Sequence, residues 1–327
     1  MYLVLAYYHF LKPPQTLQDP QRVIKDHKQF FKDKDARGRI YINEQGINGQ
    51  MSIHEKDAEG YITWLHQIEG FQDVEIKVHV AQEHAFAKMT VKYRKQLAAL
   101  DAEVDLNLTG EHVSPDHWKT MLEKKEQDTI LIDVRNQYEW KVGHFEGAIL
   151  PELETFRGFS EYVDSLKHQY DAEKTKVMMY CTGGIRCELY SALMKEKGFQ
   201  TVYQLQGGVI KYGLVEGAKH WKGKLFVFDD RMVVPISEDN TEVISQCHHC
   251  GAVCDVYVNC ANMDCNALFI ACDKCIAHLQ GCCSQECTKA PRLRAFEQGV
   301  RPKPFRKLPF ETKAALSQGS CCSCPGH

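Results

Sequence analysis

The apolar positions of this chain change their spacing several times, and each change marks an element. Tyr2–Phe10 is a nearly continuous apolar run, the pattern of a buried strand. Val23, Ile24, Phe30 and Phe31 put one apolar stripe on a helix over Pro20–Phe31. Tyr61, Ile62, Leu65 and Ile68 do the same over Lys56–Ile68. Two strands flank the turn Gln45-Gly46-Ile47-Asn48-Gly49, and Val74–Val80 closes the set. The order βαββαβ predicts a ferredoxin-like α+β unit over residues 1–95. From Val91 the pattern breaks, so 96–113 is expected to be a linker, with local positive charge just before it from Lys92, Arg94 and Lys95.

A second unit is predicted over 114–222. Ser114-Pro115 opens a helix, and Thr129–Val134 is a short apolar strand ending in Asp133-Val134-Arg135-Asn136. A turn at Gly143–Ile149, a helix near Phe159–His168, the strand Val177–Tyr180, a helix after it and the strand Thr201–Leu205 follow. Short apolar strands separated by helices imply a parallel sheet covered on both faces. The overall expectation is therefore an α/β chain, with reactive groups at the carboxyl ends of the second unit's strands.

Cys181 stands at such an end, followed by Thr182, Gly183, Gly184, Ile185 and Arg186. The glycines allow a tight turn, and Leu189, Ala192 and Leu193 fall on one face of the helix that follows. Backbone N–H groups at a helix start and a nearby arginine both favour a thiolate. A thiol with a pKa of about 8.5 is only ~3% ionised at pH 7, and one lowered to about 6.5 is ~75% ionised. Cys181 is thus the candidate nucleophile, and Asp133 and Arg135, at the neighbouring strand end, join the candidate site. Cys187, six residues on, is either a resolving thiol or a packed helix residue.

Bulk composition narrows the class. At 327 residues the chain needs two or three domains, and 44% hydrophobic with 25% charged residues is ordinary for a globular protein. A formal charge of −3 rules out a uniformly basic nucleic-acid binder, so any RNA contact must be local. No apolar run reaches membrane-spanning length and the first residues lack a basic leader, which predicts a cytoplasmic protein.

Fifteen cysteines are unevenly placed: two at the loop, ten between Cys247 and Cys287, and three near the end. Clustering without an export signal favours metal over disulfides. Cys247-x2-Cys250 and Cys272-x2-Cys275 lie twenty-one residues apart and can donate four thiolates to one zinc. Cys260, Cys265, Cys282 and Cys287 are expected to form a second site in a crossed arrangement, with Cys254 and Cys283 spare. The segment 242–290 thus reads as zinc-ribbon-like, ordered by roughly 10–16 kcal/mol per structural zinc. An iron–sulfur cluster and metal-free thiols are the alternatives. The tail 291–327 carries Arg292, Arg294, Arg301, Lys303, Arg306 and Lys307 beside Phe296, Phe305 and Phe310, a candidate surface for RNA phosphates and bases or a solvated tail.

The second unit resembles a rhodanese domain in four places: Asp133–Asn136, Gly143–Ala148, Cys181–Arg186 and Leu205–Gly208. That resemblance implies a persulfide on Cys181 cradled by loop N–H groups. It also implies sulfur-sized cargo, because phosphatases of the same fold use a loop one residue longer than the six from Cys181 to Arg186. With the first unit, Gly46–Gly49, Phe156-Arg157 and Met179–Glu188, residues 1–222 are similar to the bacterial tRNA uridine hydroxylases. Gln96 departs from that family's acidic residue. The family resemblance implies oxygen-dependent 5-hydroxylation of uridine 34, with tRNA as partner and oxygen as co-substrate. The sequence carries no flavin or nicotinamide fingerprint. The alternatives are a sulfurtransferase passing a Cys181 persulfide to a thiol, and a zinc-stabilised binding module on a non-catalytic scaffold.

Overall fold

In the computed structural model, residues 1–296 are described apart from Lys125, Glu154, Thr155 and Asp239. The chain order is β1 (Tyr2–Phe10), α1 (Pro20–Phe30), β2 (Ala36–Asn43), β3 (Gly46–His54), α2 (Glu55–His66), β4 (Ile76–Ala81) and β5 (Met89–Tyr93). Then come β6 (Glu111–Val113), α3 (Pro115–Lys124), β7 (Thr129–Asp133), α4 (Gln137–Trp140), β8 (Gly143–Phe145), α5 (Phe159–Lys167), β9 (Lys176–Tyr180), α6 (Ile185–Glu196), β10 (Thr201–Leu205) and α7 (Gly208–Glu216). The last elements are β11 (Trp221–Gly223), β12 (Leu225–Phe226), β13 (Val233–Val234), β14 (Tyr257–Asn259), β15 (Leu268–Ile270) and α8 (Asp273–His278).

The first domain is a five-stranded sheet in the order β4-β1-β3-β2-β5, antiparallel except for β5 beside β2. Asp19 caps α1 by accepting from Arg22 N at 2.9 Å, and Pro20 fills the first turn. Both helices contribute to one core, where Ile24, Tyr61 and Leu65 meet Leu5, Ile40 and Met51. Tyr7 lies against Gly49, where a Cβ would collide with its ring. The four predicted strands are present, but the turn expected over Gln45–Gly49 is confined to Glu44-Gln45, because Gly46–Gly49 already pair with β2 as the start of β3, and β5 adds a parallel edge the sequence pattern hid.

Residues 96–113, read as a linker, are packed rather than free. Leu97, Leu100 and Leu106 are buried, Leu100 and Leu106 within the second domain's core, and Glu111–Val113 forms an edge strand there. Gln96 Nε2 donates to Leu100 O at 2.5 Å and tightens this segment. Polar residues between the leucines masked the periodicity.

The second domain is a four-stranded parallel sheet ordered β6-β10-β9-β7. Strand β9 shows why it had to be continuously apolar: Val177, Met179 and Cys181 point into one core with α5 and α6, and Met178 and Tyr180 into the other with α3 and α7. The cysteine-rich segment forms its own small core, where Cys247, Cys260, Cys282 and Cys287 pack with Val258, Phe269 and Ile276. It is not detached. Tyr257 OH donates to Tyr138 O at 2.5 Å, Lys224 pairs with Asp255 at 2.5 Å, and Phe226, Tyr257 and Ile270 share a cluster with Val142.

Candidate active site and metal centres

Strand β9 ends at Tyr180 and α6 begins at Ile185, so the loop between them must turn within four residues. Gly184 makes this possible with φ at +103°, a conformation L side chains rarely adopt. Its N–H donates to Cys181 Sγ at 3.1 Å. The sulfur is fully buried, which by itself pushes its pKa up. A hydrogen bond from the Cys187 thiol, the Arg186 charge and backbone N–H groups of Cys187 and Arg186 outweigh that burial and bring the pKa down to about 5. Cys181 is therefore a thiolate at neutral pH, and Cys187 is held as a thiol, its pKa raised by burial and by the hydrogen bond to Cys181.

Arg186 is aimed by a carboxylate the sequence reading missed. Glu139 is fully buried and accepts from Arg186 Nη1 at 2.6 Å, Arg186 Nη2 at 2.7 Å and Thr182 Oγ1 at 3.0 Å. One oxygen also accepts from Asn136 N at 3.0 Å, closing a capping box on α4. The Asn136-x-x-Glu139 spacing was the available signal. Asp133 and Arg135, expected at the reactive loop, instead pair with each other at 2.6 Å. Arg135 Nη2 also donates to Gly143 O at 2.6 Å, and its guanidinium lies over the Trp221 ring at 5.1 Å. The cause is burial: two fully buried charges two residues apart pair with each other, and Arg135 also pins β8 through Gly143 O.

The first domain reaches the loop. Lys77, from β4, donates to Gly183 O at 3.1 Å and lies 5.2 Å over the ring of Tyr8 from β1. Burial lowers the Lys77 pKa to about 8. Tyr8 sits against Gly184, where a Cβ would come within 2.7 Å of its hydroxyl, and donates to Glu188 at 3.0 Å. Glu188 also meets His112 Nε2 at 2.8 Å. On the other side, Gly208 takes φ +68° where a Cβ would strike Cys181 O, and Val209 N donates to that oxygen at 3.0 Å. A cavity of about 440 Å³ opens between the domains, lined by Tyr8, Lys12, Lys77, His112, Glu188 and Gly207. No sequence motif foretold that two strands of another domain would complete this site.

The cysteines fall into two groups whose sulfurs all lie within 4.8 Å of one another: Cys247, Cys250, Cys272 and Cys275, and Cys260, Cys265, Cys283 and Cys287. The pairs alternate along the chain, which is the crossed arrangement expected, but Cys283 replaces Cys282. Gly281 turns the chain at φ +77° just before the two adjacent cysteines. Cys282 is buried in the small core, and Cys283 sits 3.6 Å from Cys265 and 3.7 Å from Cys287, sulfur to sulfur. In the first group Cys250 and Cys272 are 3.7 Å apart. A tetrahedral ion with metal–sulfur bonds of about 2.3 Å separates its sulfurs by about 3.8 Å, so both groups have the size of one ion. A cluster with several irons and bridging sulfides spreads its ligands further, so four sulfurs this close do not suit it.

Arg292 and Arg294 brace the second group rather than standing free: Arg292 pairs with Asp264 at 2.7 Å, and Arg294 donates to Cys260 O and, at 2.5 Å, to Asn266 Oδ1. Arg301, Lys303, Arg306 and Lys307, with Phe305, Phe310 and the last three cysteines, lie outside the described residues. Among the described residues no helix is long and apolar enough to cross a membrane.

A parallel sheet with a cysteine loop between strand and helix, and an arginine closing the loop, defines a rhodanese-type cysteine protein. Residues 114–213 match the family described as "Rhodanese-like domain", 2–97 match "UPF0176 acylphosphatase like domain", and 222–288 match "Rhodanase C-terminal". A Chlamydia caviae protein named tRNA uridine(34) hydroxylase is 53% identical, over 99% of this chain and 98% of its own. One of the same name from Protochlamydia amoebophila is 54% identical, over 94% of each chain. This chain belongs to the tRNA uridine(34) hydroxylase family. Among solved structures, the rhodanese-like domain of an Anabaena protein is 21% identical with a TM-score of 0.30, covering 43% of this chain and 96% of its own.

Proposed function

We propose that this protein hydroxylates C5 of uridine 34 in tRNA with dioxygen, and that Cys181 is the essential group. One observation carries the reading: relatives named tRNA uridine(34) hydroxylase match nearly the whole chain at 52–55% identity. The geometry supplies the reason for Cys181. It is a thiolate held by Gly184 N–H and Arg186, at the base of a loop that the first domain covers with Tyr8 and Lys77. The interdomain cavity has room for a nucleobase, and Lys12 and Lys77 line it together with the acids Asp73, Glu75 and Glu188. The tail residues Arg301, Lys303, Arg306 and Lys307 add phosphate contacts in this reading, which sets the protein in the cytoplasm with its tRNA.

Zinc is the metal we assign to both four-cysteine groups. All-thiolate closed sites are structural, so each zinc folds its loop and supplies no step of the reaction.

The test is nucleoside mass spectrometry of tRNA from cells lacking the protein, complemented with wild type or Cys181→Ser. Loss of 5-hydroxyuridine-derived nucleosides that only wild type restores is the expected result; unchanged nucleosides in the deletion overturn the reading. The same cradle of N–H groups also suits the outer sulfur of a persulfide, which keeps sulfur transfer as a second reading. Thiosulfate-to-cyanide turnover with no change in tRNA would favour it.

A further inference from the structure

We infer that the open face of the first domain's sheet, along β2 and β5, is the surface on which the tRNA backbone docks. The inference rests on the function proposed above and names the part of this chain that holds the RNA beyond the reacting nucleotide. Strand alternation builds the surface. In β2, Ala36, Ile40 and Ile42 are buried, and Arg37, Arg39 and Tyr41 alternate with them; in β5, Val91 is buried and Lys92 lies on the other side. The buried set packs with Ile24 of α1 and with Tyr61 and Leu65 of α2, so both helices of the domain cover that face and leave the other to the charged residues. Register sets Lys92 beside Tyr41 and Thr90 beside Arg39. Arg94, just past β5, lies 5.2 Å over the Tyr41 ring and Lys92 lies 5.7 Å over it, while Arg39 lies 5.5 Å over Phe86. These ring contacts restrain long side chains, so less of their freedom is lost when they meet phosphates.

Charge and position together select the occupant. Lys88 and Lys95, both exposed, extend the stripe at the two ends of β5. Among the described residues, none of these six cations is in an ion pair. Asp35, two residues before Arg37, is engaged by His84 and by Tyr2 at 2.8 Å each, and Glu44 accepts from Tyr93 OH at 3.0 Å. In a chain of formal charge −3, such a stripe is a local site for a polyanion. The same face runs to the reactive loop: Arg39 is in register with Gln50, Gln50 with Ala6, and Ala6 with Lys77. Lys77 lines the interdomain cavity and holds Gly183 O. Three strand spacings of about 4.8 Å separate Arg39 from Lys77, about 14 Å in all. RNA whose reacting nucleotide enters the cavity therefore lays its neighbouring phosphates along Arg39, Lys92 and Arg94.

The experiment uses the full-length, metal-loaded protein and an unmodified tRNA transcript with uridine at the wobble position. Lys92→Gln with Arg94→Gln removes two cations from the stripe. Lys25→Gln with Lys28→Gln removes two exposed cations from α1, on the other face of the sheet. Each phosphate contact adds roughly 0.7–0.9 to the slope of log affinity against log salt. We expect the first pair to raise the tRNA Kd about tenfold or more and to lower that slope by roughly 1.5. KM for tRNA should rise with it while kcat stays within about twofold. The α1 pair should change none of these. Acetylation of wild type by an N-hydroxysuccinimide ester needs no variant: bound tRNA should slow modification of Lys88, Lys92 and Lys95 and leave Lys25 and Lys28 unaffected. Wild type that binds and hydroxylates the transcript, while the Lys92 and Arg94 pair binds as tightly or the three lysines stay unprotected, overturns the inference alone and leaves the stripe to an acidic protein surface. Equal losses in both pairs also overturn it, because net charge and not this face would then set the affinity. Wild type that neither binds nor hydroxylates the transcript overturns the proposed function, and this inference with it.

Discussion

Lys77 and Gly183 come from different domains, 106 positions apart, yet the lysine ammonium donates to the glycine carbonyl at 3.1 Å. The reactive loop is therefore set by two domains. Its inner side is fixed by β9 and α6, and its outer side by a strand whose own sheet has no catalytic cysteine.

Lys77→Met tests that dependence. Methionine keeps the buried stem and removes the donor, so Gly183 loses its anchor while the first domain's core is untouched. Small misplacement of a reacting group costs rate out of proportion to its size. We expect 5-hydroxyuridine formation to fall about tenfold or more, with an unchanged circular dichroism spectrum.

Glu139→Ala attacks the other side. The substitution strands a largely buried Arg186 without its carboxylate and leaves Thr182 Oγ1 without its acceptor. Breaking a buried pair by removing one member costs about 3–5 kcal/mol, which denaturant unfolding will read as a lower midpoint. Activity should be lost with it, because Arg186 is one of the groups that hold the Cys181 thiolate.

The thiolate has its own pH signature. The folded pKa of Cys181 is about 5, below the free thiol value of about 8.5. The stability this adds is complete above the unfolded value and disappears as pH falls through the folded one. Thiolate absorbance at 240 nm, taken as the difference between wild type and Cys181→Ser, should titrate with a midpoint near 5. A midpoint above pH 8 would refute the assignment of the Cys187 thiol, the Arg186 charge and the N–H groups of Cys187 and Arg186 as its stabilisers.

Local chemistry was legible in the sequence, and relations across the fold were not. Cys181, its glycines and Arg186 sit in one short run, so a strand-to-helix turn could be read directly from it. The crossed pairing of the C-terminal cysteines was also legible from spacing. Cys282 and Cys283, by contrast, are the same residue type side by side, and spacing does not tell which one joins the four-cysteine group. Asp133 and Arg135 looked like site residues because the motif places them near the strand end, but their mutual pairing is a matter of burial. Tyr8 and Lys77 become neighbours of the loop through domain docking alone.

Metal counting separates the two adjacent cysteines. Cys283→Ser should lower the zinc content of the purified protein from two ions to one, measured by inductively coupled plasma mass spectrometry. Cys282→Ser should keep both and cost only packing in the small core. The reverse result would restore the spacing-based assignment.

Metal removal should also be felt at Cys181, through a short physical route. The cysteine-rich segment holds α4 by the hydrogen bond from Tyr257 OH to Tyr138 O, and the next residue, Glu139, aims Arg186 at the loop. A structural zinc carries folding free energy of about 10 kcal/mol or more, so chelation unfolds the segment and releases that hydrogen bond. We expect a strong chelator to abolish hydroxylation and to raise the Cys181 titration midpoint, although both four-cysteine groups lie outside the rhodanese-like domain. Tyr257→Phe removes only the hydrogen bond and keeps the metals. It should give a weaker version of both effects with two zinc ions still bound. A chelated protein whose Cys181 titrates as before would show that the metal segment and the loop are uncoupled.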